Sequence, residues 1–304
     1  MLKEAAARML GFATANILPK QLVWFFARRF IAGTDMKSAI EYAKTLNNQE
    51  FSVSIDCIGE ERNDAATVLW AKNEYLALLG AMQKHAIYGD ISLKLSHFGL
   101  LQKDVPQAVR GLGLSAFQSI VNKAAKHQTR VWIDAERLDW RSSTWQLIRL
   151  LFPPQSYRWI GLCIQAYAKD SLDFLKREIE IGGYCGYDSI SVRVCKGAYR
   201  EPGHQLYASK ELEENFLKLC RLVLDNGLYL QVATNDDGLA ERVSGFGPRE
   251  YAMLLGANPE GARWRLADHN NVKIYMPYGA DFKSYVARRI AERPEYIFLP
   301  FKTN

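Results

Sequence analysis

Near the C-terminus the chain reads Val272-Lys-Ile-Tyr-Met-Pro-Tyr-Gly-Ala-Asp-Phe-Lys-Ser-Tyr-Val-Ala-Arg-Arg-Ile-Ala-Glu292. Val272, Ile274 and Met276 alternate with Lys273 and Tyr275, the period of a strand with one packed face. Pro277 and Gly279 break the strand, and Asp281 can cap the helix that follows. On that helix Phe282, Val286 and Ile290 share a face at four-residue spacing. Arg289 falls within about a quarter turn of that face at ~100° per residue. Tyr285, Arg288 and Glu292 lie alongside. An isolated Arg-Arg is usually a solvated face with snorkelling stems. Here both guanidiniums sit on the half of the helix that faces the protein, beside a Tyr and a Glu, which suits a carboxylate or phosphate.

Outward from this unit the same rhythm recurs back to about residue 50. Strand-like runs at 51–58, 91–96, 130–136, 160–167, 189–195, 228–235, 250–255 and 272–276 alternate with longer amphipathic stretches. Eight strand–helix units in about 250 residues predict a (β/α)₈ barrel rather than an open sheet. An open dinucleotide-type sheet is the runner-up, and no G-x-G-x-x-G follows the first strand to support it. Residues 1–48 read as helical, broken at Pro19 and Gly33-Thr-Asp, so the expected division is a helical segment over 1–48 and a barrel over 49–304. Within the first part, Leu22-Val-Trp-Phe-Phe-Ala-Arg-Arg could pack or touch lipid. Packing is the expectation, because one such turn binds membranes weakly.

The 304 residues suffice for a large core, and the formal charge of +6 is mild and without a block of like charge, so no nucleic-acid partner is expected. Cys57, Cys163, Cys185, Cys195 and Cys220 form no C-x-x-C and point to reduced thiols in a cytoplasmic setting. The histidines show no metal-ligand spacing. No apolar run reaches the ~20 residues of a membrane span, and Met9–Leu18, preceded by Glu4, reads as helix rather than signal peptide.

Parity within the strand-like runs locates the chemistry. If Val53/Ile55, Ile91/Leu93/Leu95, Val131/Ile133, Leu162/Ile164 and Val192/Val194 face the helices, then Asp56, Lys94, Asp134, Gln165, Arg193 and Tyr275 point inward. All lie toward the C-terminal ends of their strands, where barrel enzymes keep their sites. Any one of them could be half of an internal salt bridge. Six at one end are costly to bury without a ligand. Lys94, Arg193, Arg288 and Arg289, set against Asp56, Asp134 and Glu60, favour an anionic small molecule. Lys94 and Lys196 also permit a Schiff-base lyase, although Asp134 stands within reach of Lys94. A non-enzymatic amino-acid-binding barrel could use the same arginines. Spacing alone stops at an anion-binding barrel.

At these residues the sequence resembles the proline dehydrogenase family, in its compact single-function bacterial form. The resemblance covers nearly the whole chain: Arg29-Phe-Ile-Ala-Gly, Asp56-Cys-Ile-Gly-Glu, Lys94-Leu-Ser, Ile133-Asp-Ala-Glu, Gln165-Ala-Tyr, Val192-Arg-Val-Cys-Lys-Gly-Ala-Tyr-Arg-Glu-Pro, and Tyr275 through Arg-Arg-Ile-Ala-Glu. It implies a distorted (β/α)₈ barrel with non-covalent FAD that oxidises L-proline to Δ1-pyrroline-5-carboxylate and passes electrons to quinone. It further implies that Arg288, Arg289 and Lys94 hold the carboxylate, with Asp134 orienting Lys94. Tyr275, Tyr285 and Leu254 would wall the ring, and Arg193 would sit at the flavin N5 edge. Ala135, Gln165, Lys196, Gly197, Ala198, Thr234, Asn235 and Glu292 would contact FAD, and Glu60 would gate the site. A quinone acceptor implies weak peripheral contact with the cytoplasmic membrane.

Three departures stand out. Ala233-Thr234-Asn235 replaces the family's Ala-Thr-His and removes a ring from the cofactor contact. Arg137-Leu-Asp-Trp follows Asp-Ala-Glu in place of a small polar continuation. Gln165-Ala-Tyr-Ala-Lys lacks a basic pair often seen next.

Overall fold

A computed structural model describes residues 19, 23–25, 28–185, 190–198, 201, 203–283 and 285–287. Eight parallel strands close in sequence order: β1 Ser52–Cys57, β2 Gly89–Leu93, β3 Val131–Ile133, β4 Ile160–Gln165, β5 Ser191–Cys195, β6 Tyr229–Ala233, β7 Glu250–Leu254 and β8 Val272–Tyr278. β8 pairs with β1 from Ser52 opposite Lys273 to Cys57 opposite Tyr278, which removes the open-sheet alternative. Helix α1, Met36–Asn47, precedes the barrel. Between strands lie α2 Ala65–Lys84, α3 Gln107–Lys126, α4 Leu138–Leu151, α5 Ser171–Cys185, α6 Ser209–Asp225, α7 Asp237–Ser244 and α8 Pro259–Ala267.

The apolar parity of the strands builds the main core. Val53, Ile55, Ile91, Leu93, Val131, Ile133, Leu162, Ile164, Val192, Val194, Leu230 and Val232 are all buried in one cluster with the inner faces of the helices. Helix starts follow side-chain chemistry. Asp35, Asp64, Asp236 and Asn258 accept from the backbone N–H of Ser38, Thr67, Leu239 and Gly261 at 2.8, 2.9, 3.1 and 3.0 Å.

Inside the barrel the side chains are mostly polar, in tiers. On the floor, Lys273 Nζ binds Asp90 and lies 3.1 Å from Glu250 Oε1, and Ser52 Oγ donates to Val272 O at 3.2 Å. Above it the Trp132 indole crosses toward β4, where Gly161 has no side chain; a Cβ there would lie 2.1 Å from the ring. Trp132 Nε1 donates to Asp90 Oδ2 at 2.9 Å, and the Arg193 guanidinium stacks 4.5 Å over the same ring. The mouth forms the third tier.

Several expected boundaries shift. The run 91–96 is not strand throughout: β2 ends at Leu93, and Leu95–Phe98 is a 3₁₀ turn closed by Gly99 at φ 66°. Asp134 N–H donates to Leu93 O at 2.9 Å, the last rung, and Lys94 stands at the turn's start. The run 130–136 contributes only three strand residues. The weak run at 250–255 is a full strand, because its inward Glu250 is neutralised by Lys273. In the segment 1–48, Val23–Phe25 is helical and residues 31–35 are irregular before α1. Past β8 the chain is helical at 282–283 and 285–287, with Phe282, Tyr285 and Val286 buried against Val23, Phe30 and Ile31. Among the described residues no helix is long and apolar enough to cross a membrane.

Candidate active site

Asp56, one residue before the end of β1, has its side chain inward, held there by the period of the strand. Its Oδ2 accepts from Lys94 Nζ at 3.1 Å and lies 2.8 Å from Tyr275 Oη; its Oδ1 lies 3.2 Å from Tyr75 Oη on α2. Burial pushes the Asp56 carboxyl up, Lys94 pulls it down and the Asp134 charge pushes it up again. Asp134, just past β3, brings three groups together. It accepts from Arg193 Nη1 at 2.9 Å, from Tyr275 Oη at 2.7 Å and from Lys94 Nζ at 3.5 Å. Lys94 and Asp134, just past β2 and β3, and Arg193 and Tyr275, within β5 and β8, therefore meet as their parity predicts.

Arg193 is buried and directs its donors into the protein. Nε binds Gln231, Nη1 reaches Ser92 Oγ at 3.2 Å as well as Asp134, and Nη2 is 3.5 Å from Ser54 Oγ. Gln231 in turn donates to Glu250, which joins the guanidinium to the floor around Lys273. Burial alone would lower the Arg193 pKa, but neighbouring anionic groups, Asp134 and Asp90 among them, raise it overall. The result is a fixed positive charge beneath the mouth.

A cavity of about 310 Å³ opens beside this cluster, lined by Asp56, Ile58, Gly59, Glu60, Glu61, Arg62, Lys94, Asp281 and Tyr285. Glu60 thus lies on its rim, and Arg62 Nη2 donates across it to Asp281 Oδ2 at 3.2 Å. The expected helix residues Arg288, Arg289 and Glu292 lie outside the described residues. Leu254 is half-buried at the end of β7, opposite Tyr275 in the middle of β8.

The second expected group lies along the ends of β3 to β6. Ala135, Lys196, Gly197 and Asn235 are half-buried, Ala198 is exposed, and Gln165 and Thr234 are buried. Gly197 takes φ 104°, a backbone that favours glycine, and a Cβ there would fall 1.9 Å from the Tyr167 ring. Lys196 Nζ is ion-paired with Asp236 Oδ2 at 2.7 Å. Both lysines of the Schiff-base reading therefore sit against carboxylates rather than in an apolar pocket. Gln165 Nε2 donates to Glu136 O at 2.9 Å. Asn235 Oδ1 accepts from Leu254 N–H at 2.9 Å, which ties this departure from the family pattern to the backbone of β7.

Several participants were missed from sequence. Glu136 is buried, with its carboxyl pushed up to about 7 by burial against the pull of two hydrogen bonds from Ser96, through Oγ and through N–H at 3.1 Å. Ser96 Oγ also accepts from Glu61 N–H at 3.0 Å and Ser96 O from Arg62 N–H at 3.0 Å, so this pair anchors the cavity loop. Glu136 has the inward parity of Asp134 two residues on, a signal available in the sequence. Tyr75 had none, because a Tyr on the packed face of a helix reads as core. Glu201 accepts from Leu138 N–H at 2.9 Å and ties the loops after β3 and β5.

Comparison with known proteins agrees with this fold. The family described as proline dehydrogenase matches residues 39–294. Proline dehydrogenase 1 of Bacillus subtilis subsp. natto is 30% identical over 277 residues, covering 88% of this chain and 87% of that protein. The proline dehydrogenase of Deinococcus radiodurans is 28% identical over 288 residues, covering 91% and 89%. Among solved structures, proline utilization A from Bdellovibrio bacteriovorus superposes with a TM-score of 0.80 at 18% identity, a likeness of fold. It covers 99% of this chain, which spans only 38% of that larger protein. A family match across the whole barrel, joined to near full-length relatives of one activity, leads to one statement: the chain belongs to the proline dehydrogenase family.

Proposed function

We propose that this chain oxidises L-proline to Δ1-pyrroline-5-carboxylate with non-covalent FAD and passes the electrons to a membrane quinone. The observation that carries this reading is the convergence of Lys94, Asp134, Arg193 and Tyr275 at one mouth, beside a cavity that Tyr285 lines. In sequence Arg288 and Arg289 follow directly on that wall. The catalytic unit is the barrel from residue 49, with 1–48 as a helical lead-in.

The donor set along β3 to β6 fits a flavin dinucleotide: amide and hydroxyl donors, a lysine, and a glycine turn that keeps backbone accessible. Ala135, Gln165, Lys196, Gly197, Ala198, Thr234, Asn235 and, in sequence, Glu292 would hold it. The bound flavin would supply a hydride acceptor for proline C5. Arg288, Arg289 and Lys94 bind the carboxylate and so fix the direction of C5. Tyr275, Tyr285 and Leu254 wall the ring and exclude water. Asp134 is ion-paired to both Lys94 and Arg193 and orients them together. Arg193 supplies a buried positive charge on the cofactor side, which favours the reduced form. Glu60 on the rim gates entry.

A visible spectrum of the purified protein tests the proposal. Oxidised flavin absorption that bleaches when L-proline is added without oxygen is the expected result. A colourless protein that stays inactive with added FAD would overturn it and leave the amino-acid-binding barrel.

A further inference from the structure

Tyr275 has one hydroxyl hydrogen and two carboxyl oxygens in reach. Its Oη lies 2.8 Å from Asp56 Oδ2 and 2.7 Å from Asp134 Oδ2. Both separations are at the usual length of an O–H···O bond, and each such bond needs its own hydrogen. Lys94 Nζ approaches the same oxygens at 3.1 and 3.5 Å; its hydrogens serve those contacts and none lies between phenol and carboxyl. Two ionised carboxylates would leave one short O···O contact with no hydrogen in it.

We infer that Asp56 is a carboxylic acid in the resting protein, its Oδ2–H donating to Tyr275 Oη while Tyr275 donates to ionised Asp134. The surroundings decide which carboxyl holds the proton. Asp134 has the Arg193 guanidinium at 2.9 Å and is 13% exposed, whereas Asp56 is 1% exposed. Among the described residues the outer oxygen of Asp56 has only the neutral Tyr75 hydroxyl at 3.2 Å, and that hydroxyl has Ser92 O nearer, at 2.9 Å. Burial raises the Asp56 pKa, Lys94 opposes the rise, and Asp134 adds to it. The titratable groups facing Asp56 are Tyr75 from α2, Lys94 after β2, Asp134 after β3 with Arg193 of β5 behind it, and Tyr275 from β8, with Glu60, Glu61, Arg62 and Tyr285 around the cavity.

Asp56 thus acts as a positioning residue. Its proton orients the Tyr275 hydroxyl toward Asp134. It also leaves Lys94 and Arg193 opposed by one carboxylate rather than two, so this cluster keeps a positive excess for an incoming carboxylate. That second consequence rests on the proline reading above; the protonation itself does not.

Infrared spectroscopy of the flavin-loaded full chain, labelled with ¹³C at the aspartate carboxyl, tests the protonation. At neutral pH we expect a carboxylic-acid C=O band that moves with the label, shifts down in D₂O and is missing from Asp56→Asn. Labelled Asp also separates this band from that of Glu136. A band that persists in Asp56→Asn overturns the assignment. Should that variant fail to fold, the labelled wild type still decides, since no protonated-aspartate band at neutral pH overturns the inference. The KM for L-proline should rise several-fold as the band titrates away on the alkaline side. A flat KM across that titration removes the charge role. A protein that fails to bleach with proline removes the proline reading and leaves the infrared result standing.

Discussion

In the proposed function Arg288 and Arg289 carry the most weight of any single side chains, because they are assigned the substrate carboxylate. On that proposal, replacing either with Met removes a charge-assisted contact made in both ground and transition states. The expected loss is about 2–5 kcal/mol in kcat/KM, mostly through KM. A near-normal KM for proline in both variants removes the clamp. Glu136 makes a different demand, on stability. Its folded pKa of about 7 stands above the ordinary 4.5, so between those values the folded protein keeps a proton that the unfolded chain releases. The stabilisation is fully present below the lower value and is lost as pH climbs through the upper one. Glu136→Gln has no such dependence, so its Tm relative to wild type should rise from about pH 5 to about pH 8. Parallel pH trends for the two proteins would show that the carboxyl is already ionised. Because Ser96 ties this carboxyl to the cavity loop, wild type and variant should also differ in KM more than in kcat.

The strand is where sequence reading succeeds and where it stops. Alternation within one strand is local, so Asp56, Asp134, Arg193 and Tyr275 could each be pointed inward from period alone. Which inward residues share a tier is set by the stagger of the closed barrel, and no single strand encodes it. That is why the mouth was legible while the floor was not: Asp90, Glu250 and Lys273 come from three strands and meet only through the registers of β1 with β2 and of β7 and β1 with β8. Lys273 between Val272 and Ile274 was a visible oddity without a visible partner. The fit of Trp132 over Gly161 is of the same kind. The indole fills the interior because the facing residue on β4 has no side chain, and through it Asp90 and Arg193 are braced. Gly161→Ala would put a carbon 2.1 Å from a buried ring, so Trp132 must shift. The expected cost is about 1–3 kcal/mol, seen as a lower Tm, with Arg193 displaced along with the ring it stacks on. An unchanged Tm would mean that the indole has room to move and is not the brace described.

At the scale of the whole molecule, the proposed quinone acceptor is dissolved in the bilayer, and among the described residues no helix is long and apolar enough to cross it, so the proposal calls for docking on the membrane surface. The formal charge of +6 is a mild attraction to anionic lipid. The N-terminal aromatic and basic stretch divides in the structure into a packed part and an open part. Val23 and Phe30 are buried, Trp24 packs on Phe282 with ring centroids 5.0 Å apart, and Arg29 Nε donates to Gly256 O at 3.1 Å. Phe25 by contrast is 40% exposed, with the Arg28 guanidinium 4.8 Å over its ring. An exposed aromatic beside an exposed cation is the kind of contact that binds anionic lipid weakly and reversibly. Phe25 and Arg28 are therefore the pair to change, and Arg29 is best left alone because its loss would disturb the anchor on Gly256. We expect the protein to co-sediment with anionic vesicles at low salt and to be released at high salt, and Phe25→Ser/Arg28→Glu to lower the bound fraction without lowering Tm. Zwitterionic vesicles should bind less at every salt concentration. If salt, lipid charge and the double substitution all leave the bound fraction unchanged, this patch is not the contact, and the proposed route to a membrane quinone needs another face of the barrel.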